Sequence, residues 1–214
     1  MKHPTPYTLA LLVLFILIAA WSGWHPKDNF IWWLEVFPAL IGAGLLVATY
    51  RQFSFTPLSY TLVLLHSSIL FIGGHYTYAE MPLFTWLKEV LDLSRNHFDR
   101  VGHIAQGFIP VMLCRELLWR TSPLKTSPRW LFFLCLSVAM AISAWYELLE
   151  WQVSVWSGSR ADEFLALQGD IWDTQWDMAL AGFGATAALL LLGRWQTRQI
   201  LEMENKATAA SQNQ

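Results

Sequence analysis

The sequence predicts an all-α membrane protein: a single domain over residues 1–198, with six helices that cross the membrane. Two observations predict this fold class. Apolar side chains make up 55% of the 214 residues and charged side chains only 14%, a balance too apolar for a soluble domain of this length. The apolar residues also form stretches of roughly 20 residues, the length that crosses the hydrocarbon core. The stretches cover residues 7–24, 30–50, 58–79, 97–118, 130–151 and 174–195.

The first stretch has the position of a secretory signal near the start of the chain. A signal peptide ends in small residues at its cleavage site, whereas Trp21 and Trp24 stand at the corresponding place here. Five more apolar stretches follow. We therefore expect the first stretch to be an uncleaved membrane helix.

The connection between the third and fourth stretches, residues 80–96, has its own helical pattern. Apolar side chains recur there at helical spacing, and polar ones occupy the opposite face. The apolar positions are Leu83, Trp86, Leu87, Val90 and Leu91. We expect an amphipathic helix that lies flat in the membrane interface between helices 3 and 4.

The fourth and sixth stretches contain glycines that allow helices to approach closely. These are Gly102, Gly107, Gly182 and Gly184. In the fourth stretch Pro110 is expected to bend the helix, because proline cannot donate the backbone hydrogen bond of a helix interior.

Orientation follows from the distribution of basic residues. Nine of the fourteen Lys and Arg residues fall on the side of the bundle that carries both termini. The short loop 119–129 alone contains Arg120, Lys125 and Arg129. Because cytoplasmic loops are enriched in Lys and Arg, we expect both termini to be cytoplasmic. Residues 199–214 are polar and lack an apolar period, which predicts a disordered cytoplasmic tail.

Composition also excludes some functions. The net charge of −2 provides no basic surface to neutralise phosphates, so a nucleic-acid partner is not expected. Only Cys114 and Cys135 are present, without the spacing of a zinc motif, so neither a disulfide nor structural zinc is expected. Membrane lipids are the expected surroundings, and the oligomeric state stays open.

The acidic residues gather on the side opposite the termini. Thirteen of the sixteen Asp and Glu residues are predicted to lie there, the exceptions being Glu116, Glu202 and Glu204. Within the fourth helix Asp99, His103 and Gln106 share one face, because helical residues at i, i+4 and i+7 align.

Other helices bring ionisable residues to the same depth. The fifth helix carries Glu147 and Glu150 near its outer end, and the sixth begins with Asp173 and Asp177. His75 ends the third helix. At 1.5 Å per residue, these positions lie within about 10 Å of the outer boundary. Because charges inside a membrane are costly, they are expected to face a polar interior site.

The candidate roles follow from residue chemistry, since His and carboxylates serve in acid–base catalysis and bind metals. The catalytic candidates are Asp99, His103, Glu147, Glu150 and Asp177. The substrate-binding candidates are Arg100, Gln106, Arg160 and Asp173. The metal-ligand candidates are His75, His103, Glu150 and Asp177. Mixed His and carboxylate ligands suit zinc, manganese or iron, so a divalent metal is the candidate cofactor, without a motif that fixes it.

Structural interpretations compete with these roles. Asp99 and His103 alternatively form a hydrogen-bonded pair with no further function. Glu147 and Glu150 alternatively pair with Arg100 or Arg160 to hold helices together. Asp173 alternatively caps the sixth helix, where an acidic residue suits the helix dipole.

Three segments resemble a known family. They are DRVGHIAQGF (99–108), AWYELLEW (144–151) and GDIWDTQWDMALAGFGA (169–185). In these segments the chain resembles YjdF-type bacterial inner-membrane proteins, which implies an inner-membrane location and no particular reaction. The chain has a looser resemblance to VanZ-like membrane proteins, in which an acidic-basic-x-x-His stretch opens one helix. That resemblance maps onto Asp99, Arg100, His103, Glu147, Arg160 and Asp170 or Asp173, but Asp177 stands where Asn is expected.

Three functions remain open from the sequence. The first is a metal-dependent or acid–base enzyme that acts on a lipid or cell-envelope precursor headgroup at the periplasmic face. The second is a non-catalytic protein that binds such a headgroup or a partner protein. The third is a proton-coupled transporter, in which the same residues relay protons.

Overall fold

The computed structural model describes residues 4–157 and 168–212. Within those residues all regular structure is helical, which confirms the all-α prediction. The helices are α1 (Pro6–Ser22), α2 (Asn29–Thr49), α3 (Pro57–Tyr76), α4 (Pro82–Val90), α5 (Phe98–Phe108), α6 (Pro110–Thr121), α7 (Pro128–Ser157) and α8 (Asp173–Gln212). Short 3₁₀ helices cover Tyr78–Glu80 and Pro123–Thr126.

Local sequence signals explain where the first helices start. Asp28 accepts hydrogen bonds from the backbone N–H groups of Phe30 and Ile31 and caps α2. Thr5 and Thr56 cap α1 and α3 in the same way, each followed by a proline in the first helical position. Proline suits that position because its missing N–H is not needed there.

Within residues 4–157 and 168–212, four helices are long and apolar enough to cross a membrane: α2, α3, α7 and α8. The sequence predicts six crossings, and the structure differs at two of them. The helix α1 is apolar but has 17 residues. The predicted fourth crossing is divided into α5 and α6, which meet at Ile109. The division has a physical cause, since Pro110 cannot donate a helical hydrogen bond and its ring disfavours a continuous helix.

The connection between α3 and α5 contains the helix α4. Its apolar side chains Leu83, Trp86 and Val90 are all more than half exposed, at 53%, 56% and 60%. The polar side chain of Thr85, by contrast, receives a hydrogen bond from Asn96. The helix therefore presents apolar residues outward and is tied to α5 through a polar contact.

The last helix is much longer than a membrane crossing requires. Forty residues in α8 correspond to about 60 Å at the helical rise of 1.5 Å. It continues through residues 199–212, for which the sequence predicts disorder.

The helices α5 and α8 pack closely against each other. A Cβ atom added at Gly107 would collide with the carbonyl group of Ala181, and one added at Gly184 would collide with the carbonyl group of Ile104. The two backbones therefore touch where these glycines face each other, as small residues allow in membrane proteins. This contact fixes the position of the α5 side chains relative to those of α8.

The bundle has two ends of different character. One end, called here the acidic end, carries Asp28, Glu80, Asp99, Asp170 and Asp173. The opposite end, called the basic end, carries Arg51, Arg120, Lys125 and Arg129. Buried apolar residues from α3 and α5–α8, including Leu62, Ile109, Met112, Cys135 and Ala188, form the larger core cluster toward the basic end. The site described next lies at the acidic end.

Candidate functional site

The first turn of α5 is fixed by the almost fully buried Asn96. Its Oδ1 accepts a hydrogen bond from the Phe98 N–H at 3.0 Å, and its Nδ2 donates to Met81 O and Thr85 Oγ1. The backbone of Asn96 exchanges two hydrogen bonds with the side chain of Gln168. Asn96 therefore joins α4, the start of α5 and the segment that precedes α8.

His103 lies at the centre of the candidate site. Its Nε2 is 3.4 Å from Asp99 Oδ1 and 3.8 Å from Asp177 Oδ2. Its Nδ1 is 3.2 Å from Gln106 Oε1 and 3.6 Å from Glu147 Oε1. Four side chains from α5, α7 and α8 thus meet at one imidazole.

The two imidazole nitrogens face different groups. If the Nδ1–H group donates a hydrogen bond to Gln106 Oε1, the ring is the neutral tautomer with a lone pair on Nε2. That lone pair lies between the carboxylates of Asp99 and Asp177. One candidate ligand atom from each of Asp99, His103 and Asp177 lies within 4.8 Å of the others. Three such ligands can hold a divalent metal, and His with carboxylates is a known catalytic ligand set.

Two acceptor atoms at this centre have no hydrogen-bond partner in the described part of the chain. They are Asp177 Oδ1 and Glu147 Oε1, on side chains that are almost fully buried. A buried carboxylate oxygen without a donor costs free energy unless a cation or a donor meets it. The arrangement is therefore chemically suited to a cation or to a protonated substrate group.

The Arg95 guanidinium supports the centre from outside. It forms an ion pair with Asp173 and lies 3.5 Å from Asp99 Oδ2 and 3.6 Å from Asp170 Oδ2. Burial lowers the pKa of Arg95, while the hydrogen bond and charge of Asp173 raise it more, so that the pKa lies above its ordinary value. Arg95 therefore stays charged and orients Asp99.

Arg100 points away from His103. Its Nη2 donates to Asp170 Oδ2 at 2.9 Å, and its guanidinium lies 5.6 Å from the centre of the Trp176 ring. Among the described residues, Arg100 forms its ion pair with Asp170 and not with Glu147 or Glu150. Arg160, the other predicted partner, lies outside the described residues.

A cavity of about 700 Å³ opens beside the centre. Its polar wall includes Asp99, His103 and Gln106 from α5, together with Tyr146 and Glu150 from α7. Glu147 and Asp177 approach His103 from outside this wall. The volume is in the range of small-molecule sites. Glu150 lines the cavity but is not one of the three residues, Asp99, His103 and Asp177, that could hold a metal ion together.

Comparisons with known proteins identify the family to which the chain belongs. A family model described as "Predicted membrane protein (DUF2238)" matches residues 7–198. The chain belongs to this family. It is also 44% identical over 193 residues to the Escherichia coli (strain K12) protein named "Inner membrane protein YjdF", covering 90% of this chain and 91% of that protein. The YjdF-type resemblance is confirmed, and neither match supports the VanZ-like one. No solved structure matches the chain.

In this DUF2238 protein the cavity wall also contains residues that the sequence interpretation missed. Glu35 is 5% exposed in α2, and the Tyr78 hydroxyl lies within hydrogen-bonding reach of it. Glu35 could have been found, because a lone carboxylate within an apolar membrane helix is itself a signal of function. Tyr78, Tyr146 and Arg95 carry no such signal, since their places depend on the packing of helices distant in sequence.

His75 lies apart from the His103 centre in this family member. Its Nδ1 is 3.0 Å from the backbone oxygen of Ser22, and its ring stacks on Trp21 with 4.6 Å between the ring centres. The described contacts of His75 therefore connect α3 to α1. His66 lines the cavity instead, beside Ser67.

A second polar cluster lies toward the basic end. The fully buried carboxylate of Glu116 accepts hydrogen bonds from the Thr56 N–H and hydroxyl at 2.8 Å, from Ser59 Oγ at 2.7 Å and from Arg120 at 2.9 Å. The nearby Gln196 bonds to Arg115 and Ser59. Because both oxygens of Glu116 accept hydrogen bonds, this cluster is suited to joining α3, α6 and α8 rather than to binding a substrate.

Proposed function

We propose that this protein is a multi-pass inner-membrane enzyme that holds a divalent metal between Asp99, His103 and Asp177 and acts on the polar headgroup of a lipid or cell-envelope precursor. The observation that carries the proposal is the meeting of these three buried side chains, within 4.8 Å of one another, beside a large cavity. The name of the YjdF relative supports the inner-membrane location.

The proposed topology has six crossings, with α5 and α6 together forming the fourth. Their 23 residues, at 1.5 Å each, extend about 35 Å, which exceeds the hydrocarbon thickness of roughly 30 Å. The Lys and Arg residues of the basic end support a cytoplasmic position for that end and for both termini. The acidic end then faces the periplasm, and α4 lies in the interface with Leu83 and Trp86 toward lipid.

The side chains around His103 have distinct proposed roles. Asp99, His103 Nε2 and Asp177 hold the metal, which when bound polarises a headgroup oxygen and activates a water molecule. Gln106 accepts a hydrogen bond from Nδ1–H and fixes the orientation of the imidazole, as outer partners of metal-bound histidines do, and the carboxylate of Glu147 lies 3.6 Å from the same nitrogen. Glu150 and Glu35, in the cavity wall, contact the headgroup.

The observations favour this function over proton-coupled transport. A transport path needs polar groups from one side of the membrane to the other. Toward the basic end the cavity wall is formed mainly by apolar side chains such as Phe53, Leu113 and Leu117. Glu116, the buried acid of that region, is outside the cavity wall and is engaged by Thr56, Ser59 and Arg120.

The decisive experiment is a metal determination on protein purified in detergent and loaded with Zn²⁺ or Mn²⁺. We expect wild type to bind close to one metal ion per chain, and His103→Ala and Asp177→Asn to lose it. His75→Ala is the matched control, because His75 contacts α1 rather than the centre, and it should bind metal like wild type. Each variant is first checked for a folded elution profile.

Turnover of lipid headgroups, followed by mass spectrometry of wild type in vesicles of bacterial lipids, separates the remaining functions. Product formation that requires His103, Asp177 and the metal supports the proposed enzymatic function. If metal-free wild type shows undiminished turnover, the metal-dependent mechanism is excluded and an acid–base enzyme remains. Headgroup binding without any product would leave the non-catalytic function.

A further inference from the structure

The cavity beside His103 continues far beyond the polar centre. On α2 alone its wall includes Glu35, Ala39, Gly42, Leu46 and Thr49. Glu35 and Thr49 are 14 positions apart, which corresponds to about 21 Å along the helix. The part of the cavity from Ala39 onward is called here the apolar arm, and it is bounded mainly by α2, α3 and α6.

The cavity changes character along its length. At the acidic end the wall has carboxylates, an imidazole and tyrosine hydroxyls, namely Glu35, Asp99, Glu150, His103, Tyr78 and Tyr146. Farther along, the wall consists mostly of aliphatic and aromatic side chains, including Leu46, Val63, Leu113, Leu117 and Phe53. This gradient matches a molecule with one polar end and one long hydrocarbon part, since each part meets groups of its own polarity.

The arm also opens sideways. Leu45 of α2, Leu117 of α6 and Ile142 of α7 line the cavity and are at the same time 61%, 45% and 43% exposed on the outside of the bundle. Among the described residues, α2 packs mainly against α3, with no comparable contact to α6 or α7. A gap between α2 and the α6–α7 pair therefore faces the membrane, and a hydrocarbon chain can enter it without crossing water.

We infer that the occupant of this cavity is a membrane lipid whose headgroup meets the His103 centre and whose hydrocarbon chain lies in the apolar arm, entering between α2 and α6–α7. The inference rests on the proposed function and names its substrate class. The length agrees, because one leaflet of the hydrocarbon core is about 15 Å thick and the apolar arm, from Ala39 to Thr49, extends about 15 Å along α2. A water-soluble headgroup compound would leave the apolar arm unexplained.

Two glycines of α2 provide a matched pair of variants. Gly42 lines the cavity, Gly44 lies outside its wall, and a Cβ atom added at either meets nothing within 4 Å. Gly42→Phe therefore fills the arm, whereas Gly44→Phe places the same side chain toward the outside. Both substitutions change helix propensity equally. Leu113→Trp fills the arm from α6 as an independent variant.

The probe is phosphatidylethanolamine with a photoreactive diazirine in the middle of one acyl chain, in nanodiscs with wild type or variant protein. After illumination, adducts are mapped by mass spectrometry. We expect adducts on Leu70 and Ile109, which line the cavity and are only 8% and 2% exposed, so that surrounding lipid does not reach them. Gly42→Phe and Leu113→Trp should reduce these adducts about tenfold, the effect of an overpacking cost of 1–2 kcal/mol, and Gly44→Phe should leave them near the wild-type level.

Metal binding is measured on the same samples. Metal bound at the His103 centre, with adducts confined to outward residues such as Leu65, would overturn the inference and leave the proposed function standing. Equal loss of adducts in Gly44→Phe and Gly42→Phe would also overturn it. If wild type shows neither metal nor cavity adducts, both proposals fall.

Discussion

Arg95 and Asp173 form an ion pair in which the side chains are only 4% and 2% exposed. Arg95 lies in the loop before α5, and Asp173 is the first residue of α8, so the pair fixes the two helices that carry His103 and Asp177. The carboxylate of Asp173 depends on this pair, because without the Arg95 guanidinium it would remain buried and uncompensated.

Breaking this pair is expected to destabilise the fold. Arg95→Met should lower the free energy of unfolding by roughly 3–5 kcal/mol, the cost of leaving a buried charge unpaired. The measurement is denaturant unfolding in mixed micelles. Lys27→Met is the control, since the Lys27–Glu80 pair is 43% and 57% exposed and its loss should cost no more than about 1 kcal/mol. Equal effects of the two substitutions would contradict the importance of the buried pair.

The glycine contact between α5 and α8 should tolerate no added side chain. Gly107→Ala would press a methyl group into the Ala181 carbonyl, and relief requires the helices to separate. Because overpacking costs about 1–3 kcal/mol or more, we expect reduced thermal stability together with loss of metal, as His103 and Asp177 move apart. Gly44→Ala meets nothing within 4 Å and should be neutral or slightly stabilising. Full metal binding by a folded Gly107→Ala protein would show that the close contact does not position the site.

Gln106 is expected to act on the metal through the imidazole. Gln106→Leu removes the acceptor 3.2 Å from His103 Nδ1, so the ring loses a partner that orients it. Loss of such an outer partner lowers metal affinity by roughly 10- to 100-fold. Competition titration with a metal-sensitive dye measures the change. Gln199→Leu is the control, because Gln199 bonds to the Leu58 N–H outside the site, and its metal affinity should equal that of wild type.

Glu116 is expected to contribute stability and not catalysis. Glu116→Leu leaves the donors of Thr56, Ser59 and Arg120 without their acceptor in a buried place. We expect a loss of about 3 kcal/mol or more in unfolding free energy, with unchanged metal stoichiometry in the protein that remains folded. Glu202→Leu, at an exposed position of α8, should change neither quantity. Loss of metal from folded Glu116→Leu protein would contradict this prediction and show that the Glu116 cluster contributes to metal binding at the His103 centre.

Much of the fold was predictable because lipid imposes a simple rule. A helix that crosses hydrocarbon must be long and apolar, so stretches such as 30–50 and 130–151 are visible in the sequence. The alignment of Asp99, His103 and Gln106 was also visible, since residues on one helix face follow from the helical repeat alone. The division at Pro110 was predicted as a bend and is a break between two helices.

What the sequence by itself determined is therefore the membrane class, the all-α architecture and the side of the bundle where ionisable residues gather. Only the tertiary structure decided which of these residues meet. Glu35 from α2 and Tyr78 join the cavity wall and His75 contacts α1, while Arg95 pairs with Asp173, 78 residues later in the chain. The physical reason is that periodicity fixes directions within one helix, whereas contacts between helices depend on how side chains of distant segments pack.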